Sequence, residues 1–165
     1  MYSITKIFEI SYAHSLPNHQ GKCQRQHGHN AIIEVTLASP NVEEMKYASD
    51  RGMVADFGDV KRICNEVILD KLDHRTLVKG TEWTYLAALE YLNGLEMTVA
   101  NREHYLDEFV VLGFDTTAEN LGRYVFSKLS EAFDKAFVSP LGVITITVAA
   151  VKWTETRDNV AGYIE

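Results

Sequence analysis

The sequence predicts an α+β fold in which helices lie on one face of an antiparallel sheet. Three observations carry that reading. Two stretches of alternating polarity stand at the start of the chain, and two segments of helical periodicity follow. A further alternating stretch then stands near the end. The order is β-β-α-α-β-β, which makes four strands with two main helices on one face.

The first strand is "YSITKIFEISYAH", residues 2–14. It sets Ile4, Phe8, Ile10 and Tyr12 on one parity and Ser3, Thr5, Glu9 and Ser11 on the other, the mark of a half-buried strand. Residues 15–26 carry Pro17, Asn18 and Gly21 and read as a loop. "NAIIEVTLA", residues 30–38, alternates again, with Ala31, Ile33, Val35 and Leu37 inward. A hairpin with so long a loop is uncommon, and such loops are often functional.

Residues 39–53 read as a turn-rich connection. Over residues 56–72, Val60, Ile63, Cys64, Val67 and Ile68 recur at helical spacing, so the segment is an amphipathic helix. The second helix opens at "TTAENL", where Thr116 as N-cap and Glu119 three residues on match a capping box. Its apolar stripe runs through Leu121, Val125, Leu129 and Phe133. Residues 143–155 form a long strand and "AGYIE" a shorter one. Between the helices, "EWTYLAALEYL" reads as a short helix and "EFVVLGF" as a strand.

The chain has 165 residues, 46% hydrophobic and 24% charged, enough for a single domain with a proper core. Its net charge of −7 argues against nucleic acid or an anionic membrane as partner. No apolar run reaches the roughly 20 residues of a membrane span, and none resembles a secretory leader. With only Cys23 and Cys64, a disulfide framework is not expected, and a reduced, cytoplasmic protein is the plain reading.

The chemistry concentrates in "GKCQRQHGHNAIIEV", residues 21–35. His27 and His29 are two apart, so an extended backbone points both to one side and Gly28 to the other. His14 closes the first strand. If the two strands pair, three imidazoles converge, a set that suits zinc and leaves its fourth position open. The residues alone leave other readings open: polar strand ends without a metal, or a closed structural site with Cys23 as fourth ligand. Cys64 sits on an apolar helical stripe and reads as a small hydrophobe. "LDHRTL" offers Asp73 and His74, a carboxylate-held imidazole that could act as base for a thiol, or simply a helix end. Glu155 could hold a guanidine-like ring edge through two oxygens; it could equally be an exposed strand-end charge. The capping box already accounts for Glu119.

"SYAHSL", "CQRQHGHN", "GMVADFGDVK", "LDHRTL", "TTAENL" and "WTET" stand together in the order and spacing of the 6-pyruvoyltetrahydropterin synthase superfamily. The resemblance covers residues 1–78 and 110–165. The interval Cys-x3-His-Gly-His is similar to the 6-carboxy-5,6,7,8-tetrahydropterin synthase branch, of the queuosine pathway, and Cys23 argues against a folate-pathway branch that has Glu instead. The resemblance implies a tunnel fold, in which subunits pool their sheets into an oligomeric barrel, a trimer and then a hexamer, with sites between subunits. It implies about one zinc per subunit on His14, His27 and His29, and a catalytic triad of Cys23, Asp73 and His74. It also implies a pterin anchored by Glu155, with Thr117 and Glu119 near the ring. The implied substrate is 7,8-dihydroneopterin triphosphate, giving 6-carboxytetrahydropterin, acetaldehyde and triphosphate. A pyruvoyl-type synthase releasing triphosphate only, and a zinc-stabilised barrel that binds pterin without turnover, are the alternatives.

The chain departs from the family pattern at three places. Thr116 stands where a Pro is common, Ala118 where a Ser or Thr is common, and residues 79–109 are longer than the family usually carries.

Overall fold

The computed structural model of the protein describes residues 1–43, 51–95, 98–137 and 146–164. Strands β1 (Tyr2–His14) and β2 (His27–Ser39) form the expected antiparallel hairpin, in register from Tyr2 opposite Ser39 to His14 opposite His27. β2 begins three residues earlier than its apolar alternation does, so the histidines lie within the strand rather than before it. β5 (Thr147–Thr156) pairs antiparallel with β2, and β6 (Asn159–Ile164) with β5. The expected start of the long strand, residues 143–145, lies outside the described residues, as do residues 44–50 of the turn-rich connection.

The sheet differs from the four antiparallel strands expected. Among the described residues it has six, in the order β4-β3-β1-β2-β5-β6. The two additions, β3 (Arg75–Lys79) and β4 (Phe109–Leu112), run parallel to each other, and β3 runs parallel to β1. β3 carries no period-2 signal because Leu77 and Val78, adjacent in sequence, are both fully buried. A strand covered on both faces reads as a short apolar run, which periodicity cannot assign. β4 is the strand expected at "EFVVLGF".

Helix α1 (Phe57–Cys64) starts at Asp56, whose side chain accepts from Gly58 N at 2.7 Å and Asp59 N at 3.3 Å. A π-helical turn (Asn65–Leu69) and a last turn α2 (Asp70–Leu72) carry the same helical segment to its end. Residues 79–109 hold α3 (Trp83–Asn93), which was expected, and α4 (Val99–Leu106), which was not. α5 (Ala118–Ala136) is capped by Thr117, whose side chain accepts from Asn120 N, and not by Thr116. The cap is therefore shifted by one residue, N3 becomes Asn120, and no capping box accounts for Glu119.

α1 and α5 bury their apolar stripes against the β1–β2–β5 face, where Ile33, Val35, Val151 and Trp153 are fully covered and meet Leu121, Val125 and Phe133. The opposite face of the hairpin stays uncovered: Ile7 is 61% exposed and Ile32 42%. No helix among the described residues is long and apolar enough to cross a membrane.

Cys64 belongs to this core and is fully buried, which pushes its thiol up to about 12. Cys64→Ser puts a hydroxyl into this apolar core and should cost about 1–3 kcal/mol of stability, measured by urea unfolding. A thiol reagent applied to the folded protein at neutral pH should label Cys23 and spare Cys64.

Candidate active site and metal centre

The apolar row of β1 ends in Tyr12 and His14, and the matching row of β2 begins with His27 and His29. The register sets His14 opposite His27 and Tyr12 opposite His29, so three imidazoles gather where the core face runs out. One ligand nitrogen from each lies within 4.8 Å of the others. Gly28 points the other way, and an added Cβ there would come within 3.0 Å of the Tyr12 carbonyl.

Outer partners fix two of the rings. His14 Nδ1–H donates to the Thr116 carbonyl at 2.8 Å, and His27 Nδ1–H donates to the Arg25 carbonyl at 2.7 Å. Each leaves its Nε2 as a lone pair, the arrangement that metal-ligating histidines use. The Nε2 atoms of His14 and His29 are buried without a hydrogen-bond partner. Burial holds His14 below the usual imidazole range, with His27 and His29 adding to that effect against the pull of Thr116 and Glu155. Neutral imidazole is the form that binds a metal. Buried polar atoms seldom go unsatisfied, and a divalent ion at the centre of the three rings fits these donors. Among the described residues the clustered ligand set is these three histidines. Cys23 is not part of it, which removes the support for a closed four-ligand site.

Cys23 sits on a single 3-10 turn (Lys22–Gln24) in the β1–β2 loop and is half-buried. It lines a cavity of about 510 Å³ with the three histidines, Thr117, Glu119 and Glu155. Leu16 N–H donates to the Cys23 carbonyl at 2.8 Å, tying the thiol's turn back to the end of β1. Thr117 and Glu119 enter as the cap and first turn of α5.

Glu155 reaches the cavity because the β5–β6 register shifts between Thr154 and Thr156. A bulge at this point re-aims the side chain it contains. Glu155 Oε1 accepts from the Tyr12 hydroxyl at 2.6 Å and lies 4.0 Å from His14 Nε2. Trp153 Nε1–H donates to the same Tyr12 oxygen at 3.3 Å. Burial, then the neighbouring carboxylate, pushes the Tyr12 phenol well above its usual range, so it stays a donor.

Asp73 and His74 stand apart from this group. Asp73 Oδ1 accepts from Ser11 N at 2.8 Å and lies 3.0 Å from His74 Nδ1. His74 has φ of 57° and a side chain that is 80% exposed. A positive φ is uncommon for histidine and marks a conformation held by its surroundings, here by His74 N–H donating to the Ser11 carbonyl at 2.6 Å. His74 lines a second cavity of about 770 Å³, on the uncovered side of the hairpin with Gly28, Asn30 and Arg75. His29 and Glu155 line both cavities, Cys23 the first and His74 the second.

A family model of 6-pyruvoyl tetrahydropterin synthase matches residues 3–165. The chain belongs to this family. A curated relative from Haemophilus influenzae, named 6-carboxy-5,6,7,8-tetrahydropterin synthase, is 33% identical over 132 residues, 78% of this chain and 82% of its own. One of the same name from Synechocystis is 30% identical over 80% of this chain and 78% of its own. The fold matches an uncharacterised protein of Wolinella succinogenes with a TM-score of 0.70 at 24% identity, over 99% of this chain and 98% of that one. It also matches the 6-pyruvoyl tetrahydropterin synthase of Caenorhabditis elegans with a TM-score of 0.58 at 22% identity, over 99% and 95%. The chain is thus a member of an enzyme family, and its histidine cluster could hold the metal.

Sequence reading missed Tyr12 and Thr116. Tyr12 shares parity with His14, a signal that was available; the Thr116 carbonyl, being backbone, gave none. Removing one ligand should separate metal binding from folding. His27→Ala, on a half-buried ring, should leave the circular dichroism spectrum intact. It should weaken zinc by more than about tenfold, the loss expected even for an outer-shell partner, measured by competition with a chromophoric chelator.

Proposed function

We propose that the protein is a zinc-dependent 6-carboxy-5,6,7,8-tetrahydropterin synthase. It would convert 7,8-dihydroneopterin triphosphate to 6-carboxytetrahydropterin, acetaldehyde and triphosphate for queuosine (7-deazaguanine) biosynthesis. The observation that carries the reading is one cavity holding three convergent imidazoles, two with orphaned Nε2 atoms, beside a thiol and a buried-edge carboxylate. The names of the curated relatives support the product.

Zinc on His14, His27 and His29 would supply Lewis acidity toward the side-chain hydroxyls of the substrate. Glu155 accepts the amino group and ring N–H of the pterin, its carboxylate held in place by the Tyr12 hydroxyl. Thr117 and Glu119 border the ring from the start of α5. The Cys23 thiolate removes and returns protons at the side-chain carbons, and His74, oriented by Asp73, restores it.

That last step draws on a second subunit. His74 is exposed at the far cavity while Cys23 faces the near one, and the uncovered hairpin face with its two apolar residues supports burial against another copy. Among the described residues no lysine or arginine lines the Cys23 cavity, so the triphosphate also needs cations from elsewhere in a chain of net charge −7. We therefore read the site as shared in a trimeric or hexameric barrel.

Incubating the zinc-loaded protein with 7,8-dihydroneopterin triphosphate should release acetaldehyde in step with 6-carboxytetrahydropterin. Triphosphate release without acetaldehyde would instead identify a pyruvoyl-type synthase. Inactive Cys23→Ala and His74→Ala chains, dissociated, mixed and reassembled, should regain part of the activity through sites that are intact. Hybrids that form and stay inactive would place the whole triad in one chain.

A further inference from the structure

Among the described residues five polar or charged side chains are buried, and four of them form one connected group: His14 (2% exposed), Ser15 (5%), Glu82 (3%) and Thr116 (1%). His14 belongs to the histidine cluster, and Ser15 and Thr116 lie directly beside it. The fourth, Glu82, comes from the long 79–109 segment, for which the sequence offers no purpose.

Glu82 stands at the N-cap position of α3, yet its side chain does not cap that helix. Its two oxygens turn the other way. Oε1 accepts from the Ser15 hydroxyl, and Oε2 accepts from Lys79 N at 2.8 Å, while Glu82 N–H donates to the Lys79 carbonyl at 2.8 Å. Ser15 in turn joins the end of β1 to the start of α5. Its carbonyl accepts from Thr116 Oγ1 at 3.4 Å, and the Thr116 carbonyl is the acceptor that fixes the His14 ring. The next residue, Leu16, holds the Cys23 carbonyl. A carboxylate placed here thus grips the short segment that carries one metal ligand and anchors the thiol's turn.

A buried carboxylate is an expensive way to tie a helix to a sheet, since an apolar contact would serve without the desolvation cost. Its value lies in direction: two fixed acceptors orient two donors, whereas apolar packing leaves Ser15 to rotate. We propose that Glu82 is a positioning residue for the metal centre, acting through Ser15 to hold the His14 ring, and that the 79–109 segment serves to deliver it. This rests on the reading of His14, His27 and His29 as metal ligands.

The test measures zinc affinity of the full chain by chelator competition, alongside melting temperature. Glu82→Gln keeps the shape but turns an amide N–H₂ toward one of two donors. It should weaken zinc about tenfold, the low end of what outer-shell partners of metal ligands contribute, and should shift the visible absorption of cobalt(II) in the site. Ser15→Ala should weaken zinc similarly, with little further loss in the double variant, because the two act as one unit. Leu92→Ala, a buried residue on the same helix, should lower the melting temperature while leaving zinc affinity and the cobalt spectrum unchanged. Glu82→Gln with native zinc affinity, or Leu92→Ala with an equal loss, would overturn the positioning role while the metal site stands. A native chain whose zinc affinity His27→Ala does not change would overturn the metal reading and this proposal with it.

Discussion

The register of β1 against β2 is the constraint on which the rest of the molecule depends. The same pairing that seats Phe8 against Ile33 and Ile10 against Ala31 sets Tyr12 opposite His29 and His14 opposite His27. Side-chain direction has a period of two along a strand, so a slip of one residue would turn the whole core face outward. It would also scatter the imidazoles. The apolar rows make that slip costly, with Ala31, Ile33, Val35 and Leu37 all fully buried. Ordinary core packing therefore enforces the geometry of the histidine cluster, in which His14 alone is itself fully buried.

The site lies where this pairing meets two other features. α5 is capped by Thr117, directly after the carbonyl that orients His14, so the start of the helix and the end of the strand locate one another. The irregularity in β5–β6 then brings Glu155 onto Tyr12, and Trp153 braces Tyr12 from within the core. A relay running from a fully buried indole to a carboxylate at the cavity edge keeps that carboxylate from wandering toward solvent. Polar groups in such a chain reinforce one another while every donor has an acceptor.

Asp73 and His74 are organised by different means. Ser11 binds both, through its N–H to Asp73 and its carbonyl to His74, and the left-handed backbone at His74 lets the ring leave the sheet. His74 is held at its backbone yet exposed at its ring, and the cavity it lines is open on the side that the helices leave bare.

The sequence by itself determined the hairpin, the two long helices, the strand carrying Trp153 and the convergence of the three histidines, because each follows from a period of 2 or 3.6 that burial on one face imposes. It also marked Cys64 as core and Cys23 as exceptional. It did not determine β3, whose adjacent Leu77 and Val78 are both buried and so leave no alternation to read, nor the parallel edge that β3 and β4 build. It misplaced the cap of α5 by one residue, since Thr116 and Thr117 are chemically alike and only the paths of neighbouring strands choose between them. Only the tertiary structure decided that Glu155 turns onto Tyr12, that a backbone carbonyl orients His14, and that Glu82 reaches Ser15 across 67 positions of sequence. Those contacts join residues distant along the chain. Local pattern cannot encode them, because nothing in a residue's near neighbours records which side chain the fold will bring against it.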